Sequence, residues 1–450
     1  MPHVNTGDTA WLLTSSALVL LMAPGLAFFY GGMVRAKSVL NMMMMTFGAL
    51  ALVSILWVLF GYSLAFGDDV GGGLLGDPTQ FLGFRGMLLD TTSGSGGVPV
   101  TAFAVFQGLF AVITVALVSG AIADRARFGT WMVFAGIWLT LVYAPVAHWV
   151  FDLSHGSHVG GWLANRLGLV DFAGGTAVEI NSGAAGLAVA LVLGRRIGFG
   201  RDPMRPHNLT LVMIGAGLLW FGWFGFNAGS ALGANNTAAV VFVNTLLAGS
   251  GGTLAWLLVE RIRDGHATSL GAASGLVAGL VAITPSCSAL TPVGGIVMGA
   301  AAGAVCAVAV GLKYRLGYDD SLDVVGVHLV GGLVGTIGIG LLASSAAPAA
   351  VDGLLYGGGL DQLGRQLVGA GVVLGFSFAV TYVIASVLER TMGFRIDEEH
   401  EVSGIDLVVH AEAAYDLHSA AGARPHLGHG STTGVLAAAT QPVDPERDNA

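Results

Sequence analysis

Two ionisable side chains stand inside long apolar runs of this chain. Glu179 lies in Gly-Thr-Ala-Val-Glu-Ile-Asn-Ser-Gly and His328 in Val-Val-Gly-Val-His-Leu-Val-Gly-Gly. An ionisable group at the centre of a membrane helix costs roughly 2.5–3.5 kcal/mol on insertion, so each is a functional candidate by default. Their surroundings match. Val178-Glu179-Ile180 is followed by Gly183 and Gly186, and Val327-His328-Leu329 by Gly332 and Gly335, at the same offsets. The plainer alternative for His328 is a core histidine bonded to a carbonyl. For Glu179 it is a protonated, structurally bonded carboxyl. Having both at the matching point of two similar segments weighs against these. Asp171 precedes the first segment, Asp323 opens the second, and His148 ends an earlier apolar run.

Other chemistries lack their residues. The two lysines, Lys37 and Lys313, complete no Gly-Lys-Ser/Thr phosphate loop, so ATP-driven pumping has no site. Cys287 and Cys306 have neither disulfide nor zinc-site spacing, and no metal or cofactor is expected. No nucleophile elbow or paired-carboxylate pattern points to an enzyme. Movement of a solute down its gradient is the economical reading.

The elements that must position these residues are membrane helices. The 450-residue chain is 54% hydrophobic and only 10% charged, where soluble domains run near a quarter charged. Its 70 glycines show no three-residue period and suit close helix packing in lipid. Apolar segments long enough to span recur near 9–33, 39–66, 101–122, 129–148, 177–194, 208–228, 237–259, 269–284, 292–312, 324–343 and 366–389. No basic stretch precedes the first, so a cleaved signal peptide is not expected. Of the 19 Lys and Arg residues, only Arg85, Arg166 and Arg365 fall on one side of the resulting topology. The positive-inside rule then puts the N-terminus outside and the C-terminus in the cytoplasm. The net charge of −9 is no cation-binding surface, since ten of the 28 carboxylates lie in the last 55 residues. No nucleic-acid partner is expected.

The paired segments, together with Phe29-Tyr30-Gly31-Gly32 echoed by Phe226-Asn227-Ala228-Gly229, suggest two inverted five-helix repeats and a final helix. The fold class is therefore an all-α integral membrane protein of eleven transmembrane helices. Residues 1–394 form the membrane domain and 395–418 a charged C-terminal segment able to dock. From 419 to 450 the composition predicts disorder.

At this point the chain resembles the Amt/Mep/Rh ammonium transporters. The resemblance rests on Asp171-Phe172-Ala173-Gly174-Gly175 with Ser182-Gly183 and Arg195-Arg196. It also rests on Phe29-Tyr30-Gly31-Gly32, Phe106-Gln107-Gly108 with Phe110, and Trp223-Phe224-Gly225-Phe226-Asn227-Ala228-Gly229-Ser230. Thr284-Pro285 and Asp323-Val324-Val325-Gly326-Val327-His328 complete it, in order, up to about Tyr415. The resemblance implies a homotrimer with a pore in each protomer, conducting ammonium, with methylammonium as analogue, into the cell. It implies that Phe110 and Ser230 belong to an outer recruitment site with Asp171 nearby, acting through hydrogen bonds and its field. It further implies a gate of Phe110 and Phe226, a pore pair containing His328, location in the plasma membrane, and a PII-class regulatory protein at the cytoplasmic face.

Two departures stand out. The first histidine of the family's pore pair is replaced by Glu179, as in some fungal members. The recruitment-site tryptophan aligns with Phe151, followed by an insertion before Gly160-Gly161, so Trp149, His158 and Trp162 also compete for that place. A Glu–His pair titrates as a coupled unit and rests either as an ion pair or as two neutral groups. A sensor with incidental transport and a Rh-like gas channel are the alternative readings.

Overall fold

The computed structural model describes residues 4–89 and 97–415. Among these, eleven helices are long and apolar enough to cross a membrane. They are α1 (Thr6–Met33), α2 (Ala36–Phe66), α3 (Val100–Ile122), α4 (Phe128–Phe151), α5 (Gly175–Leu193), α6 (Leu209–Gly229), α7 (Asn236–Asp264), α8 (Ser269–Ser286), α9 (Pro292–Leu316), α10 (Val325–Leu342) and α11 (Asp361–Met392). The described residues contain no β-strand beyond isolated bridges. All eleven sequence-predicted spans are present, with ends displaced by a few residues. The largest change is α11, which runs from 361 to 392 rather than 366–389 because Asp361 and Gln362 open the helix ahead of its apolar stretch.

Which helices form the centre follows from composition. The apolar windows of α5 and α8 are each 83% buried, that of α3 78% and that of α10 67%, against 28% for α2 and 33% for α11. The central helices are accordingly rich in small residues, and the outer ones leave Leu, Ile, Val and Phe exposed. Glycine sets the closest approaches. A Cβ on Gly252 of α7 would lie 2.4 Å from the carbonyl oxygen of Gly275 on α8. One on Gly215 of α6 would lie 2.3 Å from the backbone nitrogen of Phe29 on α1. No other residue fits either crossing without displacing backbone.

The two halves echo each other at α5 and α10. Each opens with a π-wound turn, Gly175–Ile180 and Val325–Leu329. Each is capped by an aspartate eight residues before its ionisable group. Asp171 accepts from the backbone N–H of Gly174 (2.8 Å), Gly175 (2.7 Å) and Thr176 (2.7 Å). Asp320 accepts from Val324 (3.0 Å) and Val325 (2.7 Å). A carboxylate there satisfies the orphan donors of a helix start and meets the positive end of its dipole.

At the C-terminal face, charged residues of the connections interlock. Arg196 is bidentate to Asp319 (both contacts 2.9 Å) and reaches Asp124 at 3.1 Å. The fully buried Arg125 donates to Ser321 Oγ and to the carbonyl of Asp319, both at 2.6 Å. Beyond α11 the chain lies on this face. Ile396 donates to the Arg125 carbonyl (2.9 Å), and a short helix α12 (Glu398–Ser403) follows. Its buried Glu401 accepts from the Ile197 N–H (2.8 Å) and from Arg395 (2.9 Å). Asp406 caps the start of α2 through Leu40 (2.9 Å) and Asn41 (2.8 Å). The stretch 419–450, expected to be disordered, lies outside the described residues.

Candidate functional site: a gated apolar bore through the central helices

Phe110 of α3 and Phe226 of α6 stack face to face, ring centroids 3.9 Å apart and planes within 9°. Both are 1% exposed. Phe106 and Trp223 brace the stack at 4.9 and 5.9 Å, and the Trp223 indole is fixed by donation to Thr284 Oγ1 (2.8 Å). Phe151, the last residue of α4, meets Phe110 edge-on at 6.1 Å and 90°. The alternatives raised by the insertion lie elsewhere. Trp149 packs on Phe376 at 4.7 Å and donates to Leu74 (2.8 Å), while Trp162 packs on Trp149. His158 bridges Asp68 and Asp152. Ser230, one turn beyond Phe226, donates to the Phe226 carbonyl (2.9 Å), which leaves its oxygen lone pairs as acceptors.

Asp171 stands at the same face, but its oxygens are taken. Besides the three N–H groups above, Oδ2 accepts from the Thr176 hydroxyl and, at 3.4 Å, from the Ala177 N–H. The carboxylate therefore has little lone-pair capacity left for any further contact.

Behind the stack lies a narrow cavity of about 10 Å³, at the lower limit for one water-sized molecule. Met22, Leu26, Leu219 and Val277 line it with hydrocarbon, and Glu179 and His328 face it together. Glu179 Oε2 and His328 Nδ1 are hydrogen bonded at 2.7 Å, the residues 1% and 4% exposed. The paired glycines make this meeting feasible. A Cβ on Gly183 would sit 2.4 Å from the Leu329 nitrogen, and one on Gly332 would sit 2.9 Å from Glu179 Cβ. Each helix thus yields space to the residues flanking the other's ionisable group, a reciprocity the matching offsets encode.

Sequence reasoning singled out Asp323 in the second half and passed over Asp320. Asp323 instead ion-pairs with Lys313 (2.6 Å), and its own φ of 65° places it in the turn before α10. The signal for Asp320 was present, since it precedes His328 by the same interval that separates Asp171 from Glu179.

Eleven helices long and apolar enough to cross a membrane, around a narrow apolar cavity capped by stacked rings and faced by a buried Glu–His pair, define a multi-pass membrane protein. The profile of the Ammonium Transporter Family matches residues 10–415. The ammonium transporter of Mycobacterium tuberculosis H37Rv is 56% identical over 437 residues, covering 92% of this chain and 91% of that one. Candida albicans Mep2 superposes with a TM-score of 0.81 at 36% identity, covering 88% of each chain. A structure described as a sensor Amt protein superposes at 0.83 with 27% identity, covering 91% of this chain and 98% of its own. The chain belongs to the Ammonium Transporter Family, and its function is ammonium transport.

Proposed function

We propose that the protein carries ammonium into the cell by separating ammonia from its proton at the Glu179–His328 pair. The observation that carries this reading is a hydrogen-bonded carboxyl–imidazole pair facing a bore otherwise walled by hydrocarbon. A bare cation there meets a desolvation penalty of several kcal/mol. Ammonium is first held at the recess of Phe110, Phe151 and Ser230, where ring faces attract a cation by roughly 0.5–2 kcal/mol and the hydroxyl oxygen accepts an N–H. Asp171 adds its field. The ion then passes the Phe110–Phe226 gate, one N–H bond breaks as the Glu179–His328 pair takes up its proton, and neutral ammonia goes on along the dry section. The proton leaves toward the far side, where ammonia takes one up again.

The positive-inside bias supports an N-terminus outside and a C-terminus in the cytoplasm of the plasma membrane. We further propose a homotrimer, and a PII-class protein as the regulator at the cytoplasmic face. The test is current together with methylammonium uptake in proteoliposomes from about pH 5 to 8. Glu179→Gln keeps size and hydrogen bonding but cannot ionise, so current should fall by about a hundredfold. A Glu179→Gln variant equal to wild type in rate, selectivity and pH profile would show the carboxyl to be merely structural. Uptake without any current in the wild type would instead favour a neutral gas channel.

A further inference from the structure

The insertion after Phe151 builds a second chamber on the face that holds the Phe110 recess. It encloses about 530 Å³, walled by rings including Phe66, Phe103 and Phe151. Asp68, Asp152, His155 and His158 stand on its polar side. Such a wall of aromatic faces with carboxylates beside it is the chemistry that recognises small ammonium-type cations. His158 occupies the carboxylates. Its Nδ1 lies 2.6 Å from Asp68 Oδ1, and its Nε2 lies 2.9 Å from Asp152 Oδ1.

Ionised carboxylates only accept, so an imidazole bridging two of them must carry both ring protons. Neutral imidazole has one N–H and can serve one partner. Loss of a proton from this bridge therefore leaves one carboxylate without its donor, facing the aromatic chamber. Further acidic and imidazole groups stand next to the bridge. The His155 ring lies 4.8 Å from that of His158. His148 Nδ1 is 3.2 Å from Asp152 Oδ2, its Nε2 is 3.5 Å from Asp69 Oδ1, and Nε2 has no hydrogen-bond partner despite full burial. Gln80 amide nitrogen donates to Asp68 at 3.2 Å. Burial opposes the charged His158 ring, but the bonds to Asp68 and Asp152 outweigh it and raise the imidazole above its ordinary value. Burial pushes the Asp152 carboxyl up to about 7, against the pull of His158. The bridge thus changes its proton content near neutral pH.

We propose that Asp152 and Asp68 form an outer capture station for ammonium and small alkylammonium ions, ahead of the Phe110 recess, and that the proton on His158 switches it. With the bridge protonated, the triad carries one net negative charge and both carboxylates are occupied. With the bridge proton gone, the charge is two and a carboxylate is free for the cation. The captured ion has a short path to the recess, because Phe151 lines the chamber and touches Phe110. This rests on the reading of the bore as an ammonium conductor.

The test is initial-rate methylammonium uptake by oriented proteoliposomes, with substrate added on the chamber side and equal pH on both faces, from about pH 5.5 to 8.5. Methylammonium stays protonated throughout, so its supply does not vary. Wild-type KM should fall about fivefold as pH rises. His158→Gln removes the pull that holds the Asp152 proton down, so its KM should still fall with pH but over a higher pH range than in wild type. Asp152→Asn, which lacks the carboxylate that the switch frees, should give a high KM across the range. The maximal rate should persist in both variants, because the bore itself is untouched. A wild-type KM that does not change with pH, or a His158→Gln profile superimposable on wild type, overturns the capture station and leaves conduction standing. Absence of wild-type uptake overturns conduction itself. His158 lies on a surface turn, so its variant remains decisive even where Asp152→Asn does not assemble.

Discussion

Asp171 illustrates how one side chain can be structural and functional together. Its carboxylate receives four backbone N–H groups and a hydroxyl at the start of α5, the helix that carries Glu179. Removing it strands buried donors and unwinds the π-turn that sets where Glu179 points. Asp171→Ala should cost about 2 kcal/mol of stability and abolish methylammonium uptake even where protein reaches the membrane. A well-assembled Asp171→Ala protein with robust uptake would exclude the role. At the pore pair, Glu179→His should give the pH dependence expected of two neutral imidazoles sharing a proton, and His328→Ala should reduce uptake in either background. Uptake and current across the same pH series check both, and an unchanged profile in Glu179→His would separate pH dependence from the pair.

Among the elements, the connections on the C-terminal face and the segment beyond α11 form one docked unit. Glu401 has two arginine partners, Arg395 at 2.9 Å and Arg35 at 3.8 Å, as well as the Ile197 N–H. Arg35 follows α1 and Ile197 follows α5, so the tail touches the connections of helices that line the cavity. Truncation after Met392 should therefore change transport rate or its regulation, and unchanged values of both would remove the coupling. Asp319 beneath it gives a pH expectation. Burial would raise its carboxyl, but the bidentate Arg196, with Arg125 beside it, outweighs burial and holds Asp319 below the usual carboxylate range. A depressed folded-state value means that its contribution is complete above the unfolded value, near 4, and is lost as pH falls through the folded one. Thermal stability should thus show no Asp319-dependent loss between about pH 8 and 5. Asp319→Asn should lower the melting temperature throughout that range, since it leaves buried arginines undercompensated. A differential scan of both proteins decides the matter.

For the whole molecule, the outer helices carry many exposed large apolar residues, such as Ile55 and Leu59 on α2 and Leu254 and Leu258 on α7. Such faces suit contact with lipid or, in the homotrimer proposed above, with other copies of the chain. Three protomers per particle are expected from native mass in mild detergent, and a monodisperse monomer that retains full uptake would contradict this. Each protomer holds its own bore, so mixing wild-type with Glu179→Gln chains should reduce current in proportion to the mutant fraction rather than all at once.

Length, hydropathy and the side on which arginines fall were enough to count the spans, because each apolar run must close its backbone hydrogen bonds inside itself. The matching offsets around Glu179 and His328 announced the pair, since an ionisable group in lipid has few reasons to be there. Other features needed the tertiary structure. Whether Phe151, Trp149, Trp162 or His158 meets Phe110 depends on how an insertion folds back, and neither periodicity nor hydropathy encodes that. Asp320 matches Asp171 in its interval to the ionisable group, but its role as a cap is recognised only by the helix start it satisfies, and a π-wound start has no sharp signature in sequence. The His158 bridge joins Asp68 and Asp152 across 90 and 6 residues of chain. Contacts that distant are fixed only when the helices beneath them pack, so the sequence determined which groups lie in the membrane and the tertiary structure decided which of them meet.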